Sequence, residues 1–161
     1  MPSESLAPND PMAMLPFCGY NMGGCFRHWL AIGRRLTNAL KIFHVNWFRI
    51  GEDGKFLCPG FGDNVRVLDW IIRCVEGRVA AHETAIGSVP TLLSLELDDL
   101  DLPRDRLRQL LAVEPRAWMN ESTRYAAFLA RFDDRLPQAL WDEHEALRER
   151  LARDLIGQIL V

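Results

Sequence analysis

The segment FHVNWFRIGEDGKFLCPGFGDN, residues 43–64, places the strongest constraint on the fold of this chain. Its first part is rich in Phe, Val, Ile and Trp, which favour a β-strand. Asp53-Gly54 predicts a tight turn, because both residue types tolerate positive φ angles. Pro59 ends the return strand, since proline has no N–H group to donate to a neighbouring strand. We therefore expect a β-hairpin near residues 41–58.

Helical patterns occupy most of the remaining sequence. Apolar residues recur at spacings of three and four within residues 22–40 and 65–75, which predicts amphipathic helices. Asp63 or Asn64 is expected to cap the second of these helices, and Gly77 is expected to end it. Residues 84–90 are expected to form a loop. Three more helices are predicted to begin at prolines, which suit a first helical turn: Pro103, Pro115 and Pro137.

Composition excludes several classes of protein. Of the 161 residues, 48% are hydrophobic and 25% are charged, which predicts one packed domain rather than disorder. The net charge of −3 argues against a nucleic-acid partner, which would require a basic face. No apolar run reaches the ~18–20 residues of a membrane span. The N-terminus has no secretory signal pattern, so we expect a cytoplasmic protein with reduced cysteines.

The three phenylalanines of the hairpin segment suggest a slot for a flat heterocycle. Phe48, Phe56 and Phe61 could stack on a nucleotide base, at roughly 1–3 kcal/mol per base. Glycines beside Phe61 would let the backbone approach a ligand, and the Asn64 amide could bond the edge of the base. The alternative is that all three rings are core residues of a hairpin. The chain has no G-x-x-x-x-G-K-[ST] motif, so phosphates are not expected to be held here.

No set of residues in the sequence predicts catalysis or a structural metal. Cys25-x-x-His28 has the spacing of half a zinc site, but no second pair completes four ligands. The acidic residues within 96–101 are expected to form a solvated loop. Four arginines are expected to face solvent rather than to bind phosphate: Arg104, Arg106, Arg108 and Arg116. We therefore assign no catalytic residue and no metal ligand.

Several long motifs resemble those of GTP-dependent phosphoenolpyruvate carboxykinases. They are KIFHVNWFR (41–49), GEDGKFLCPGFGDNVRVLDW (51–70), DPMAMLPFCGYNMG (10–23) and IGSVP (86–90). The resemblance implies a fragment of an α/β family, in which residues 10–161 are the C-terminal part of the nucleotide-binding domain. Residues 1–9 are then a disordered or non-native tail. As an isolated chain the fragment is expected to be α+β, mainly helical with a β-hairpin near residues 41–58.

The resemblance also implies a ligand and roles for residues. Enzymes of this family convert oxaloacetate and GTP to phosphoenolpyruvate, GDP and carbon dioxide, with manganese and magnesium as cofactors. Carried over by motif, Phe48, Phe56 and Phe61 would contact the ring of the guanine. Asn64 would contact the guanine edge. The nucleotide-binding loop would be completed by Gly62 and Asp63.

The chain departs from the family pattern in ways that bear on activity. The family's phosphate-binding loop, metal ligands, substrate-binding arginines and mobile lid all lie upstream of the resemblance. Cys58 also stands where the family usually has Trp. We therefore expect the isolated chain to lack carboxykinase activity. The alternative function is a non-enzymatic guanine-nucleotide-binding module, or a structural remnant, that needs a partner chain with the missing N-terminal part.

Overall fold

The computed structural model describes residues 15–60 and 62–159. The helices are α1 Gly23–Arg35, α2 Asn64–Val75, α3 Arg104–Leu111, α4 Pro115–Leu129 and α5 Gln138–Ile159, with short 3-10 segments at Leu15–Phe17 and Ala130–Arg135. The strands are β1 Ala81–Thr84 and β2 Gly87–Pro90. The chain divides into two compact units, one of residues 40–113 and one formed by the segments on either side. The expected mainly helical α+β fold is confirmed. The predicted tail, residues 1–9, lies outside the described residues.

The unit that contains α1, α4 and α5 is built on aromatic packing. The ring of Phe132 lies edge-on to Phe26 at 5.4 Å and to Phe128 at 5.2 Å between centroids. A side chain on Gly23 would come within 2.7 Å of the Arg135 carbonyl oxygen, so only glycine permits this approach of α1 to the 3-10 segment. The buried cluster consists of Met22, Cys25, Phe26, Phe128, Phe132 and Leu136.

The helix boundaries follow local sequence signals. Pro103 and Pro137 immediately precede α3 and α5, and Pro115 is the first residue of α4, which confirms the three predicted starts. Gly77 follows α2 with a φ of 70°, and its N–H bonds the Cys74 carbonyl at 3.2 Å. Among the described residues, the helices are all too short or too polar to cross a membrane.

The unit of residues 40–113 contains the two strands. β1 and β2 pair antiparallel, from Ala81 opposite Pro90 to Thr84 opposite Gly87. The prediction of a loop over residues 84–90 is therefore wrong. The turn is tight because Gly87 takes a φ of 116° and accepts a 2.6 Å hydrogen bond from the Thr84 hydroxyl. Strands of four residues give too little alternation to be recognised in a sequence.

The hairpin predicted near residues 41–58 takes a reduced form. One isolated antiparallel bridge joins Ile50 and Phe56, in place of two continuous strands. Exposed and partly buried side chains alternate from Ile42 to Ile50, as they do along a strand. No neighbouring strand pairs with this segment within residues 40–60. Because strands are stabilised by hydrogen bonds to a neighbour, the strand-like sequence remains unpaired.

Helix α2 presents an apolar surface to solvent. Its exposed stripe, which we call the α2 stripe, recurs at spacings of three and four and consists of Val65, Leu68, Ile72 and Val75. The opposite side of the helix is covered. There Trp70 is buried, and its indole N–H donates a 3.0 Å hydrogen bond to the Ser94 hydroxyl. The ring of Phe43 lies edge-on to Trp70 at 6.1 Å.

Candidate functional site

The candidate phenylalanines are carried by a turn with a defined backbone. The N–H of Leu57 donates to the Arg49 carbonyl at 2.8 Å, and the N–H of Gly51 donates to the Lys55 carbonyl at 2.9 Å. Gly54 adopts a φ of 73°, as the Asp-Gly pair predicts. Leu57 is buried beneath the turn. A side chain on Gly51 would come within 2.9 Å of the Leu57 Cδ2 atom, so a larger residue at this position would force the buried Leu57 side chain to shift.

Helix α3 holds both arms of this turn through two arginines. Arg49 donates from Nη1 to the carbonyl oxygens of Leu110 at 3.0 Å and Ala112 at 2.8 Å, at the C-terminal end of α3. These carbonyls lack helical partners, and a cation is favourable there. Arg106 donates from Nη2 to the Phe56 carbonyl oxygen at 2.8 Å. Arg106, which was expected to face solvent, keeps 30% of its side chain exposed while it makes this bond.

Two of the three candidate rings lie in contact on the surface. Phe48 is 73% exposed and Phe56 is 57% exposed, so neither ring belongs to the core of the part of the chain that the structure describes. Their centroids are 6.0 Å apart and their planes are inclined by 67°. A base held between two parallel rings needs roughly 7 Å, twice an ordinary contact distance. In this arrangement a base can therefore stack only on an outward ring face. Phe61 lies outside the described residues.

The candidate edge-reading residue, Asn64, is the first residue of α2. Its Oδ1 atom accepts a hydrogen bond from the Cys58 thiol at 3.2 Å. Asp63 occupies the N-cap position, but neither it nor Asn64 makes the predicted side-chain cap. The backbone of Asp63 is helical, with φ −82° and ψ −10°, rather than extended as a capping residue requires. Its carboxylate instead accepts a 3.0 Å bond from Arg66 Nε.

An open groove of about 470 Å³ runs along the first turns of α2. Its two arginines are engaged by oxygens of the protein: Arg66 Nη1 donates to the Glu96 carbonyl at 2.9 Å, and Arg73 Nη2 donates to the Ser94 carbonyl at 3.2 Å. These bonds hold the loop after the strands against α2. The groove is lined by Gly62, Asp63, Val65, Arg66, Asp69, Arg73 and Glu96. It therefore contains two of the candidate loop residues.

The residues that hold the site were not apparent from the sequence. Arg49 and Arg106 each act on a carbonyl about fifty or more positions away in the chain, and periodicity carries no signal for such a bond. In the sequence, Cys58 is only a departure from the family pattern, and its bond to Asn64 depends on the path of the chain through Pro59 and Gly60. Gly60 has a φ of 133°, which glycine adopts readily.

The side chains that commonly bind metal ions are dispersed among the residues that the structure describes. No three or more side chains of His, Cys, Asp and Glu among them are grouped as a metal ion requires. Within residues 15–60 and 62–159 there is therefore no cluster of three or more such side chains for the manganese and magnesium that the family resemblance implies.

Comparison with known proteins gives one consistent family. The sequence model of a family described as "Phosphoenolpyruvate carboxykinase C-terminal P-loop domain" matches residues 3–150. A "Phosphoenolpyruvate carboxykinase [GTP]" of Neocallimastix frontalis is 46% identical over 145 residues, which is 88% of this chain and 24% of that protein. A protein of the same description from Corynebacterium glutamicum (strain R) is 43% identical, over 89% of this chain and 24% of its own length. A third, from Chlamydia trachomatis serovar D, is 42% identical over the same shares.

These matches cover the site but only part of the relatives. The chain spans 24% of the length of each of these relatives. Residues 3–150 include every candidate site residue, from Phe48 to Asn64, and reach into both units. The chain belongs to the family of the phosphoenolpyruvate carboxykinase C-terminal P-loop domain.

Proposed function

We propose that residues 10–161 supply the guanine-recognition wall and the helical C-terminal part of the nucleotide-binding domain of a GTP-dependent phosphoenolpyruvate carboxykinase. The observation that carries this proposal is the pair of exposed rings, Phe48 and Phe56, held by α3 in a chain of that family. Solvent-exposed aromatic rings on a backbone held by side-chain bonds are a surface on which a base can stack. The proposed base contacts are Phe48, Phe56, Phe61, Gly62, Asp63 and Asn64.

The proposed ligand is GTP or GDP, held through its base. Stacking on one ring contributes roughly 1–3 kcal/mol, and an edge hydrogen bond from Asn64 adds to it. A net of roughly 4–5 kcal/mol corresponds to a Kd on the order of 0.1–1 mM. The chain contains no G-x-x-x-x-G-K-[ST] loop, so phosphates add little to this affinity.

The proposed role of the isolated chain is binding without turnover. Phosphoryl transfer depends on positioned phosphates and on metal ions that neutralise developing charge. In the complete enzyme, which converts oxaloacetate and GTP to phosphoenolpyruvate, GDP and carbon dioxide, we assign those tasks, including the manganese and magnesium ligands, to polypeptide upstream of this chain's matched region. That N-terminal part is the proposed protein partner. We propose a cytoplasmic location, which suits the Cys25 and Cys58 thiols of the structure.

Saturation-transfer NMR tests the binding proposal directly, because it reports weak ligands at millimolar concentration. We expect guanosine and GDP to bind within about threefold of each other, since phosphates contribute little, and adenosine to bind more weakly. Saturation should be strongest on the base protons. Phe48→Ala and Phe56→Ala should each weaken guanosine binding by about fivefold or more. Phe17→Ala is the matched control, because Phe17 is 83% exposed and lies in the other unit.

Two results would contradict the proposal. Equal binding of guanosine and adenosine would remove the guanine assignment, and no binding of either would favour the alternative of a structural remnant that needs a partner chain. A coupled assay with oxaloacetate, GTP and manganese tests the absence of turnover. Carboxykinase activity that follows the chain through purification would overturn that part.

A further inference from the structure

The candidate edge-reading amide has a hydrogen-bonded neighbour. Cys58 Sγ donates to Asn64 Oδ1 at 3.2 Å, and both residues are partly buried. Asn64 is the first residue of α2, so the helix fixes the position of its backbone. Pro59 and Gly60 bend the chain so that Cys58 reaches across six positions to this amide. The thiol bond therefore restrains the side chain of Asn64, including the rotation of its amide about χ2.

The rotation of an amide decides what it offers to a ligand. Its oxygen is an acceptor only, and its NH₂ group is a donor only. With the oxygen turned to the Cys58 thiol, the NH₂ group of Asn64 remains for another partner. Guanine carries the O6 acceptor at the position where adenine carries the N6 amino donor. A fixed donor therefore bonds guanine and opposes adenine, whereas an amide free to rotate can bond either base.

We propose that Cys58 is a positioning residue that sets the preference of this site for 6-oxopurines, by holding the Asn64 amide with its NH₂ group toward the base. The inference rests on the proposed function, in which Asn64 meets the edge of the base. It adds that in this chain, where Cys58 stands in place of the Trp usual in the family, the thiol takes over the positioning of Asn64, while the stacking belongs to the phenylalanine rings.

The experiment uses the full 161-residue chain and compares guanosine, inosine and adenosine by saturation-transfer NMR titration. In the unsubstituted protein, guanosine and inosine should bind within about threefold of each other, because both carry O6. Both should bind about five- to twentyfold more tightly than adenosine. Cys58→Ala should reduce the ratio of guanosine to adenosine affinity by about threefold or more, chiefly by releasing the amide to accept from adenine.

Two controls separate positioning from damage to the fold. Cys58→Ser retains an O–H donor and should keep the ratio within about twofold. Cys74→Ala removes a thiol in the same unit whose side chain has no assigned role, and should leave the ratio unchanged. General disruption would weaken all three nucleosides together and leave their ratio intact, so the ratio reports the amide alone.

The remaining outcomes distinguish failure of the role of Cys58 from failure of the proposed guanine site. A guanosine preference that persists in Cys58→Ala would overturn this inference and leave the proposed function standing. Weak binding of inosine, similar to that of adenosine, would show that the 2-amino group is read instead and would also overturn it. No guanosine preference in the unsubstituted protein would overturn the proposed guanine site, and the role of Cys58 with it.

Discussion

The guanidinium of Arg106 donates a 2.8 Å hydrogen bond to the main-chain carbonyl of Phe56, fifty positions earlier in the chain. The same group lies 3.7 Å from the Asp53 carboxylate. One side chain of α3 thus ties the turn at two points. Loss of this tie should affect both the stability of the unit and the placement of the Phe56 ring.

Arg106→Gln should lower the free energy of unfolding by about 1 kcal/mol, because the charged donor to the Phe56 carbonyl is lost. It should also weaken guanosine binding. Arg108→Gln is the control on the same helix, since the Arg108–Asp105 pair is exposed and contributes under about 0.5 kcal/mol. Urea unfolding measures the free energy of unfolding of the two variants. Equal effects of the two substitutions would contradict the special role of Arg106.

Gly51→Ala should destabilise the protein by about 1–3 kcal/mol, because the new methyl group would lie 2.9 Å from the buried Leu57 side chain. Gly33→Ala provides a control of opposite sign. Gly33 lies within α1 with open space around it, so alanine should stabilise the helix by about 0.5–1 kcal/mol. The midpoint of thermal unfolding should fall for Gly51→Ala and rise for Gly33→Ala. A neutral Gly51→Ala would mean that Leu57 moves aside without cost.

Ser94→Ala should cost about 1–3 kcal/mol, because the buried Trp70 indole N–H loses its acceptor. The serine hydroxyl also accepts a 2.9 Å bond from the Thr91 N–H, which adds to the loss. In a double-mutant cycle, Ser94→Ala should cost less when Trp70→Phe has already removed the donor. Additive losses would show that the hydroxyl stabilises the Thr91 turn alone.

The hydroxyl of Tyr20 and the Cys25 sulfur are 3.0 Å apart, and this hydrogen bond raises the pKa of Tyr20. The raised pKa favours the neutral phenol in the folded state. Its stabilising effect is therefore present below the ordinary tyrosine pKa of about 10 and is lost as pH rises through the folded value.

Replacement of the partner tests this assignment. Cys25→Ala should move the pKa of Tyr20 down toward its ordinary value, whereas Cys25→Ser keeps a bonding hydroxyl and should retain part of the shift. Tyrosinate absorbance follows the titration. Tyr125→Phe should serve as the background, because burial also raises the pKa of Tyr125, the other of the two tyrosines. An unchanged Tyr20 titration in Cys25→Ala would assign the shift to another cause.

The α2 stripe should make the protein associate as its concentration rises, because contiguous exposed apolar surface favours contact between molecules. Leu68→Glu together with Ile72→Glu should reduce the association measured by sedimentation velocity. Thr123→Glu adds a negative charge to an exposed position of α4 and should have little effect. A monodisperse monomer for the unsubstituted protein at high concentration would contradict this expectation.

Local signals in the sequence predicted the local structure. Prolines at 103, 115 and 137 indicated where three helices begin, and Gly77 indicated where α2 ends, because each acts through its own φ angle or its missing N–H group. The Asp53-Gly54 turn was predicted for the same reason. These features depend on a few neighbouring residues and are independent of how the rest of the chain folds.

Features that depend on distant partners were not predicted. Residues 41–49 have the composition of a strand, but pairing needs a second strand, and the described chain provides only the Ile50–Phe56 bridge. The contact of the Phe48 and Phe56 rings, and the bonds that Arg49 and Arg106 make with carbonyl groups, arise from the packing of α3 on the turn. The family resemblance named candidate residues for the site without describing how they are held.

Phe48 and Phe56 contact each other edge-to-face, so each ring occupies a face of the other that a base would otherwise contact. An aromatic pair of this kind is worth about 0.5–1.5 kcal/mol. A base that slides between the rings must first forfeit that interaction, at a loss of up to about tenfold in affinity. A base that stacks on the outer face forfeits nothing, but it is covered on one side only. For the proposed guanine site we therefore expect one-sided stacking of the base, with weak enclosure and rapid exchange.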